Sequence, residues 1–394
     1  MVRRLLEQTA PPAPETVEIR AVRSSPRSTV LRLRLGGTWC GRDRLIAKQA
    51  VGDGATERFG RELVALRLLA KLDLNPPVAP KLLAWDSAAR LLLLEDLGDR
   101  SLATALLGKE RAAAHEALVD YAAALGRLHA GTVGQEACAI AIRQELAMDS
   151  AGFANPRKVQ SDGVSFRQLC EAAGIAVDAG FDDDVQRVET LLAAHGPFHA
   201  LTHGDPCPDN ERRTAGGVVF FDFEASGFDH ALIDAAYLVM AFPTCWCVGN
   251  LPAEVLSSAL AVYRQTLATG VPEARDDATF ARHLLHASAR WLLDGDTLVP
   301  RAQRGDSKRF MELLAADWPW GCSTARQRLL HRLHAFIQLA ESVGELRGLT
   351  ATTARLHRAL VSCWPSDVHR LPDYPALVDK SQGPVAQTNL GLPQ

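Results

Sequence analysis

The 394-residue chain has no excess of basic residues: 43 Lys and Arg stand against 46 Asp and Glu, a formal charge of −3. It has no overall positive field to hold a phosphate backbone and no interleaved basic and aromatic runs, so nucleic acid is not an expected partner. Long apolar runs are missing too. The longest, Ala231 to Phe242, contains Asp234 and is too short to cross a bilayer, which argues against a membrane partner. Met1 to Pro14 starts with two arginines and reaches Pro11 and Pro12 without the apolar stretch of a secretory signal, so a cytoplasmic location is expected. Cysteine is scattered, 8 in all, and only Cys245 and Cys247 lie close together, with no second pair to complete a metal site. Reduced thiols are therefore expected. No internal repeat is visible, and nothing sets the oligomeric state.

What is present is an ordinary globular balance, 47% apolar and 23% charged, on a chain long enough for two or three lobes. Thr16 to Val22, Val30 to Leu35 and Arg44 to Ala50 alternate as half-buried strands do, with Gly36, Gly37 and Gly41 marking the last turn. Phe59, Leu63, Leu66 and Leu69 form one stripe of a helix over Glu57 to Leu72, ended by Asn75-Pro76-Pro77. Lys81 to Asp86 and Arg90 to Leu94 read as two more strands. Glu95-Asp96-Leu97-Gly98-Asp99 breaks the pattern and marks a lobe boundary, giving residues 1–95 and 96–365, then a tail over 366–394. Beyond the boundary the chain is mainly helical: Ala112 to Ala130, Phe166 to Ala173, Asp183 to His195, Ala231 to Phe242, Ala253 to Thr269, Asp277 to Leu293, Ser323 to Ser342 and Thr350 to Cys363. A small β element interrupts at Phe198 to Leu201 and Val218 to Phe221. The Pro-, Gly- and Gln-rich end, roughly the last fifteen residues, reads as disordered.

The strongest local signal is His203-Gly204-Asp205-Pro206-Cys207-Pro208-Asp209-Asn210, a proline-stiffened loop after a short strand. Asp222 follows at the end of the apolar run Val218 to Phe221. Phosphoryl transfer asks a protein for positioning and charge neutralisation. Asp205 has the chemistry to orient an acceptor hydroxyl and take its proton; Asn210 and Asp222 are hard oxygen ligands suited to Mg²⁺. Alone, His-Gly-Asp is an ordinary turn, and Asp222-Phe223-Glu224 an ordinary strand end. Upstream, Lys48 sits in the apolar strand Leu45-Ile46-Ala47-Lys48, where a charge is costly unless paired, and Glu62 on the next helix is a partner within reach. Such a pair can hold an ammonium against the phosphates of a nucleotide; snorkelling from an edge strand is the alternative.

These residues in this order resemble the aminoglycoside phosphotransferase family, part of the protein-kinase-like superfamily that includes choline and other small-molecule kinases. The resemblance runs from about Val22 to about Tyr237. It implies an α+β, bilobal protein-kinase-like fold with a small N-terminal antiparallel-sheet lobe and a larger, mainly helical C-terminal lobe. It implies ATP or GTP bound between the lobes, its base against backbone groups around Leu94 and Asp96. It also implies Lys48 and Glu62 at the phosphates, Asp205 as catalytic base, Asn210 and Asp222 as Mg²⁺ ligands, His203 in support and Asp234 bracing the loop. Two departures stand out. The turn Arg23 to Ser28 holds no glycine, leaving Ser25, Arg27 and Ser28 to cradle phosphate. Glu224 stands where protein kinases have glycine, which speaks against a mobile activation segment and for a small acceptor over a protein.

The acceptor is not legible. Asp182-Asp183-Asp184, Asp276-Asp277 and Asp294-Gly295-Asp296 would suit a polycation but equally suit helix caps. Trp318-Pro319-Trp320 and Phe242 to Trp246 would line a pocket or fill a core. His283 with His286, and His331 with His334, read as helix-face residues. The leading reading is a small-molecule O-phosphotransferase, for an antibiotic or for a metabolite such as an amino alcohol or sugar. A silent nucleotide-binding kinase fold is the alternative, disfavoured because Lys48, Glu62, Asp205, Asn210 and Asp222 are all present.

Overall fold

A computed structural model of the chain describes residues 1–148, 159–299 and 308–378. It begins with a helix, α1 (Val2–Thr9), and five strands follow: β1 (Val17–Ser24), β2 (Ser28–Trp39), β3 (Arg42–Ala50), β4 (Leu82–Asp86) and β5 (Leu91–Glu95). They pair antiparallel in the order β1–β2–β3–β5–β4, with the helix α2 (Ala55–Leu72) inserted after β3. Strand periodicity gives the sheet two different faces. Leu33, Leu35, Leu45, Ala47, Leu91 and Leu93 cover Leu5 and Leu6 of α1. Leu92 and Leu94 join Phe59, Leu63 and Leu66 of α2 in the main core. The leucine run of β5 is thus buried on both sides, which is why it does not alternate. Lys48 lies opposite Val30 and Leu92 across the ladder, so it shares the α2 face.

The remaining elements are mainly helical. They are α3 (Leu102–Leu106), α4 (Arg111–Thr132), α5 (Glu136–Glu145), α6 (Val159–Ala172), α7 (Phe181–Ala193), β6 (His199–Thr202), β7 (Glu211–Thr214), β8 (Gly217–Phe220), β9 (Gly227–His230), α8 (Leu232–Val239), α9 (Ala253–Leu267), α10 (Asp277–Leu293), α11 (Lys308–Glu312), β10 (Pro319–Trp320), β11 (Ser323–Thr324), α12 (Ala325–Val343) and α13 (Arg347–Cys363). Two short antiparallel ladders, β6 with β9 and β7 with β8, hold the segment from His199 to His230 between the helices. This is the expected α+β architecture: a small antiparallel-sheet lobe, then a larger, mainly helical one.

Several elements lie where the sequence pattern is weak. The arginine-led N-terminus forms α1, whose two buried leucines and the Trp39 indole N–H, donated to Ala10 O at 2.8 Å, close the outer face of the sheet. β2 continues through Gly36 and Gly37 to Trp39, and the hairpin turns at Cys40 and Gly41, both left-handed. Residues 366–378 of the expected tail are docked: Asn250 bridges Asp373, and Leu371, Tyr374 and Leu377 are buried. The segment read as disordered lies mostly outside the described residues.

α4 and α9 cross closely because α4 has Gly126 at the contact. A Cβ there would stand 2.8 Å from Tyr263 O and 3.3 Å from Leu267 N, both backbone atoms that cannot swing aside. Gly126→Val should therefore destabilise the protein by about 1–3 kcal/mol through overpacking. Its urea midpoint should fall, and a midpoint equal to wild type would show that the helices separate at no cost.

Candidate active site

The centre of the site is an ammonium group. Lys48 Nζ lies 2.5 Å from Glu62 Oε2 of α2 and also binds the Asp222 carboxylate. Both Lys48 and Glu62 are buried. Burial alone would lower the Lys48 pKa, but Asp222, Glu62 and Glu224 outweigh it and hold it well above the usual value. Three carboxylates share this one ammonium. Burial, opposed by Lys48 and reinforced by Asp222, pushes Glu62 up to about 7, and burial with Asp222 also raises Glu224. Glu62 and Asp222 set two carboxylates on one ammonium, and oxygen donors of this kind suit a divalent cation.

Asp222 reaches this point through an unusual backbone. It has φ +68, left-handed for a non-glycine residue, and leads into a single 3₁₀ turn over Phe223–Ala225. Phe223 is fully buried, and Arg61 of α2 donates to Ser226 O at 2.9 Å, so the turn is packed against α2. Glu224 pairs with Arg27 at 2.8 Å and stands 3.7 Å from Arg58. Arg27 sits in the tight turn between β1 and β2. There the Ser25 hydroxyl accepts the backbone N–H groups of Arg27 and Ser28 and lies 3.4 Å from the Ser28 hydroxyl. Those two N–H groups are thus engaged within the turn. Arg27 is the residue of this turn that reaches the acidic cluster.

The loop after β6 is held from beneath. The buried Asp234 carboxylate accepts the N–H of His203 at 2.6 Å and of Gly204 at 3.2 Å, with His129 Nε2 at 3.3 Å. His203 Nε2 lies 2.9 Å from Phe221 O while its Nδ1 accepts the Asp205 N–H at 3.3 Å. The tautomer protonated on Nε2 satisfies both contacts and ties the loop to the residue before Asp222. Gly204 has φ +79, and a Cβ there would lie 2.2 Å from Ala225 O, so only glycine fits. Asn210 Nδ2 donates to Asp205 O at 2.9 Å, turning its amide oxygen away from that carbonyl. The loop carrying Asp205 and Asn210 is thus tied through His203 to Phe221, next in the chain to Asp222, which meets Lys48.

Leu94 lies near the end of β5, opposite Ile46, and Asp96 just beyond it. The Leu94 side chain is buried in the core. The Asp96 carboxylate is engaged: Arg32 grips it through two N–H groups at 2.7 Å each, and the Gly98 N–H donates at 3.0 Å. Burial would raise Asp96, but Arg32 and Gly98 hold it below the usual carboxylate range. A cavity of about 250 Å³ opens here, lined by Arg20, Arg32, Leu33, Arg34, Arg44, Asp96, Gly98 and Asp99, away from Asp205.

Three contributors carry little signal in the sequence. Glu224 shares the charge cluster. Thr244, in the segment between α8 and α9, donates its hydroxyl to Asp205 Oδ1 at 2.5 Å and contacts the Tyr237 hydroxyl at 3.1 Å. Trp246 donates its indole N–H to Asp209 at 2.7 Å. Of the two aromatic stretches, Phe242 to Trp246 therefore reaches the loop. Trp318 and Trp320 instead bind Leu298 O and Thr297 O. The acidic triplets are structural. Asp184 accepts the Gly348 and Leu349 N–H groups, Asp276 caps α10, and Asp294 pairs with Arg290 at 3.1 Å.

The expectation of reduced thiols throughout is overturned: Cys207 of the loop is disulfide-bonded to Cys245. Proximity in the fold brings together two cysteines 38 residues apart, a pairing that spacing does not announce. The remaining six are free. Cys245 is thereby committed to Cys207, not to Cys247.

The sheet with its buried Lys48–Glu62–Asp222 cluster and the braced loop carrying Asp205 and Asn210 fall within one matched stretch of sequence. Residues 18–248 match the model of the phosphotransferase enzyme family, more than half of the chain, and the protein belongs to that family. No curated protein sequence matches it. Among solved structures, a choline kinase from Cryptosporidium parvum Iowa II is similar at 14% identity, covering 88% of this chain and 97% of that one, with a TM-score of 0.48. Amicoumacin kinase in complex with AMP-PNP and Ca²⁺ is similar at 15% identity over 93% and 92%, with a TM-score of 0.49. A gentamicin complex of APH(2″)-IIa shares 11% identity over 93% and 96%, at 0.44.

Two outcomes follow from this site. Beside Asn210, the buried Glu211 carboxylate binds the Leu102 N–H through one oxygen while the other is buried without a partner, and burial pushes it up to about 7. A carboxyl group raised from 4.5 when folded adds stability below its unfolded pKa that is lost as pH climbs through the folded one. Urea midpoints should therefore fall between about pH 4.5 and 7, and Glu211→Gln should flatten that fall; an unchanged slope would refute the assignment. Second, denatured unreduced protein should titrate six thiols, and reductant should release two more and remove about 2–4 kcal/mol of stability. Eight thiols without reductant would exclude the Cys207–Cys245 bond.

Proposed function

We propose that the protein is a cytoplasmic, Mg²⁺-dependent kinase that moves the terminal phosphoryl group of ATP or GTP onto a small-molecule hydroxyl. The observation that carries this is the meeting of Lys48, Glu62 and Asp222 beside the Asp205–Asn210 loop. Lys48, kept cationic by its acids, holds the α and β phosphates, and Glu62 positions it. Arg27 exchanges Glu224 for the phosphates, with Ser25 and Ser28 shaping its turn. The base lies against the backbone around Leu94 and Asp96. Asp205 orients the acceptor hydroxyl and takes its proton, with Thr244 setting the rotation of its carboxylate. His203 and Asp234 keep the loop in place.

The donor set fits a divalent ion: three acids share one ammonium, and Asn210 turns its amide oxygen away from Asp205 O. Asn210 and Asp222 would hold Mg²⁺, with Glu224 adjacent. Bound there, the ion supplies charge neutralisation to the nucleotide phosphates. A small acceptor is favoured by the packed 3₁₀ turn after Asp222, which leads straight into β9 and leaves no long segment there to seat a peptide.

Turnover with pooled aminoglycosides, other antibiotics, amino alcohols, sugars and nucleosides, each with ATP or GTP, identifies the acceptor class. With a responding acceptor, Asp205→Asn should lower kcat about 10²–10⁴-fold. Binding of Mg²⁺–nucleotide, followed by calorimetry, should stay within twofold of wild type. Full turnover in this variant would remove Asp205 from the mechanism.

A further inference from the structure

A second cluster of ligand-type side chains lies outside the cleft, where α5 begins and the chain turns from α7 into β6. The turn reads His195-Gly196-Pro197-Phe198-His199, two histidines separated by three residues, and the His199 N–H closes it on Gly196 O at 3.0 Å. The turn stacks the two imidazoles, ring centres 4.3 Å apart and planes 14° from parallel. Both rings face one carboxylate. Glu136 Oε2, from the first residue of α5, lies 3.1 Å from His199 Nε2 and 3.8 Å from His195 Nδ1. One ligand atom from each residue falls within 4.8 Å of the others.

We propose that Glu136, His195 and His199 form a binding site for a divalent transition-metal cation of the zinc class, separate from the nucleotide site. With metal–ligand bonds of about 2.1 Å, tetrahedral ligands stand about 3.4 Å apart. The two distances to Glu136 straddle that value. Imidazole and carboxylate together suit zinc and its neighbours rather than magnesium, and three protein ligands leave a fourth position for water. The acid alone has an ordinary explanation, since a carboxylate is favoured in the first turn of a helix. Two histidines from another element converging on it do not. His199 Nδ1 is buried without a hydrogen-bond partner, so Nε2 is the ring's polar outlet towards Glu136.

The site links separate parts of the fold. His199 opens β6, the strand that runs into His203 and the Asp205 loop, and Glu136 belongs to the helix following α4. His195 is 68% exposed, so it can adjust to the ion without disturbing the core. A cation here clamps α5 to β6, and its effect is read as stability.

The test uses the full chain stripped with a chelator and kept in excess Mg²⁺, so that the cleft does not compete for added metal. Zn²⁺ is titrated against a chromophoric chelator, with Tm followed in parallel. Wild type should bind one Zn²⁺ per chain and gain Tm. His195→Ala and Glu136→Gln should each weaken binding at least tenfold and abolish the Tm gain. His115→Ala, on α4, should change neither. Co²⁺ in the same protein should show d–d bands without thiolate charge transfer. Absence of Zn²⁺ binding overturns the proposal, as does binding equally tight in His195→Ala and Glu136→Gln. A thiolate band lost on blocking cysteines would move the metal elsewhere and overturn it as well. Since none of these readouts uses phosphoryl transfer, failure here and failure of the kinase reading are separate results.

Discussion

The structure turns on one buried positive charge. Lys48 sits in the middle of an apolar sheet, on the face covered by α2, where an unpaired ammonium would cost several kcal/mol. Its charge is retained because Glu62 comes from α2 and Asp222 from the turn after β8. Meeting that requirement fixes the sheet, the helix and the turn after β8 in one arrangement. Glu62 and Asp222 both contact the ammonium, and Glu224 adds a third acid nearby, itself paired with Arg27. Under the proposed function, the arrangement that stabilises the site also prepares it for a metal-bound, anionic ligand.

A second constraint acts from below. Asp234, fully buried at the start of α8, uses both carboxylate oxygens on the backbone of His203 and Gly204. Gly204 lies so close to Ala225 that no side chain fits, which keeps the loop against the turn after Asp222. The Cys207–Cys245 bond and the Thr244 hydroxyl add further ties from the segment after α8 to the Asp205 loop. Groups that must hold still during phosphoryl transfer are thereby anchored to rigid elements.

Much of this was legible in the residues. Strands β1 to β3 were visible because a half-buried sheet writes a period of two, β5 because a strand buried on both faces writes an apolar run, and α2 because a helix covering the sheet writes 3.6. Lys48 was conspicuous as a lone charge in an apolar strand, and Glu62 as the acid within reach of it. The loop from His203 to Asn210 stood out by its prolines and its order of oxygen donors. Short elements were harder to see: β7 and β9 span four residues each, too few for a period, and α1 carries only two buried leucines. One acid of each acidic cluster serves the fold: Asp184 accepts the Gly348 and Leu349 N–H groups, Asp276 caps α10 and Asp294 pairs with Arg290.

Periodicity and the cost of burying a charge marked the strands of the sheet, the helix α2 and the pairing of Lys48 with Glu62, since these depend on local pattern. Only the tertiary structure decided what meets across long separations. It joined Cys207 to Cys245, set Thr244 on Asp205, engaged Asp96 with Arg32 and brought Glu136 to His195 and His199. No local period encodes such pairs. They depend on how helices and strands cross, and therefore on the packing of the whole chain.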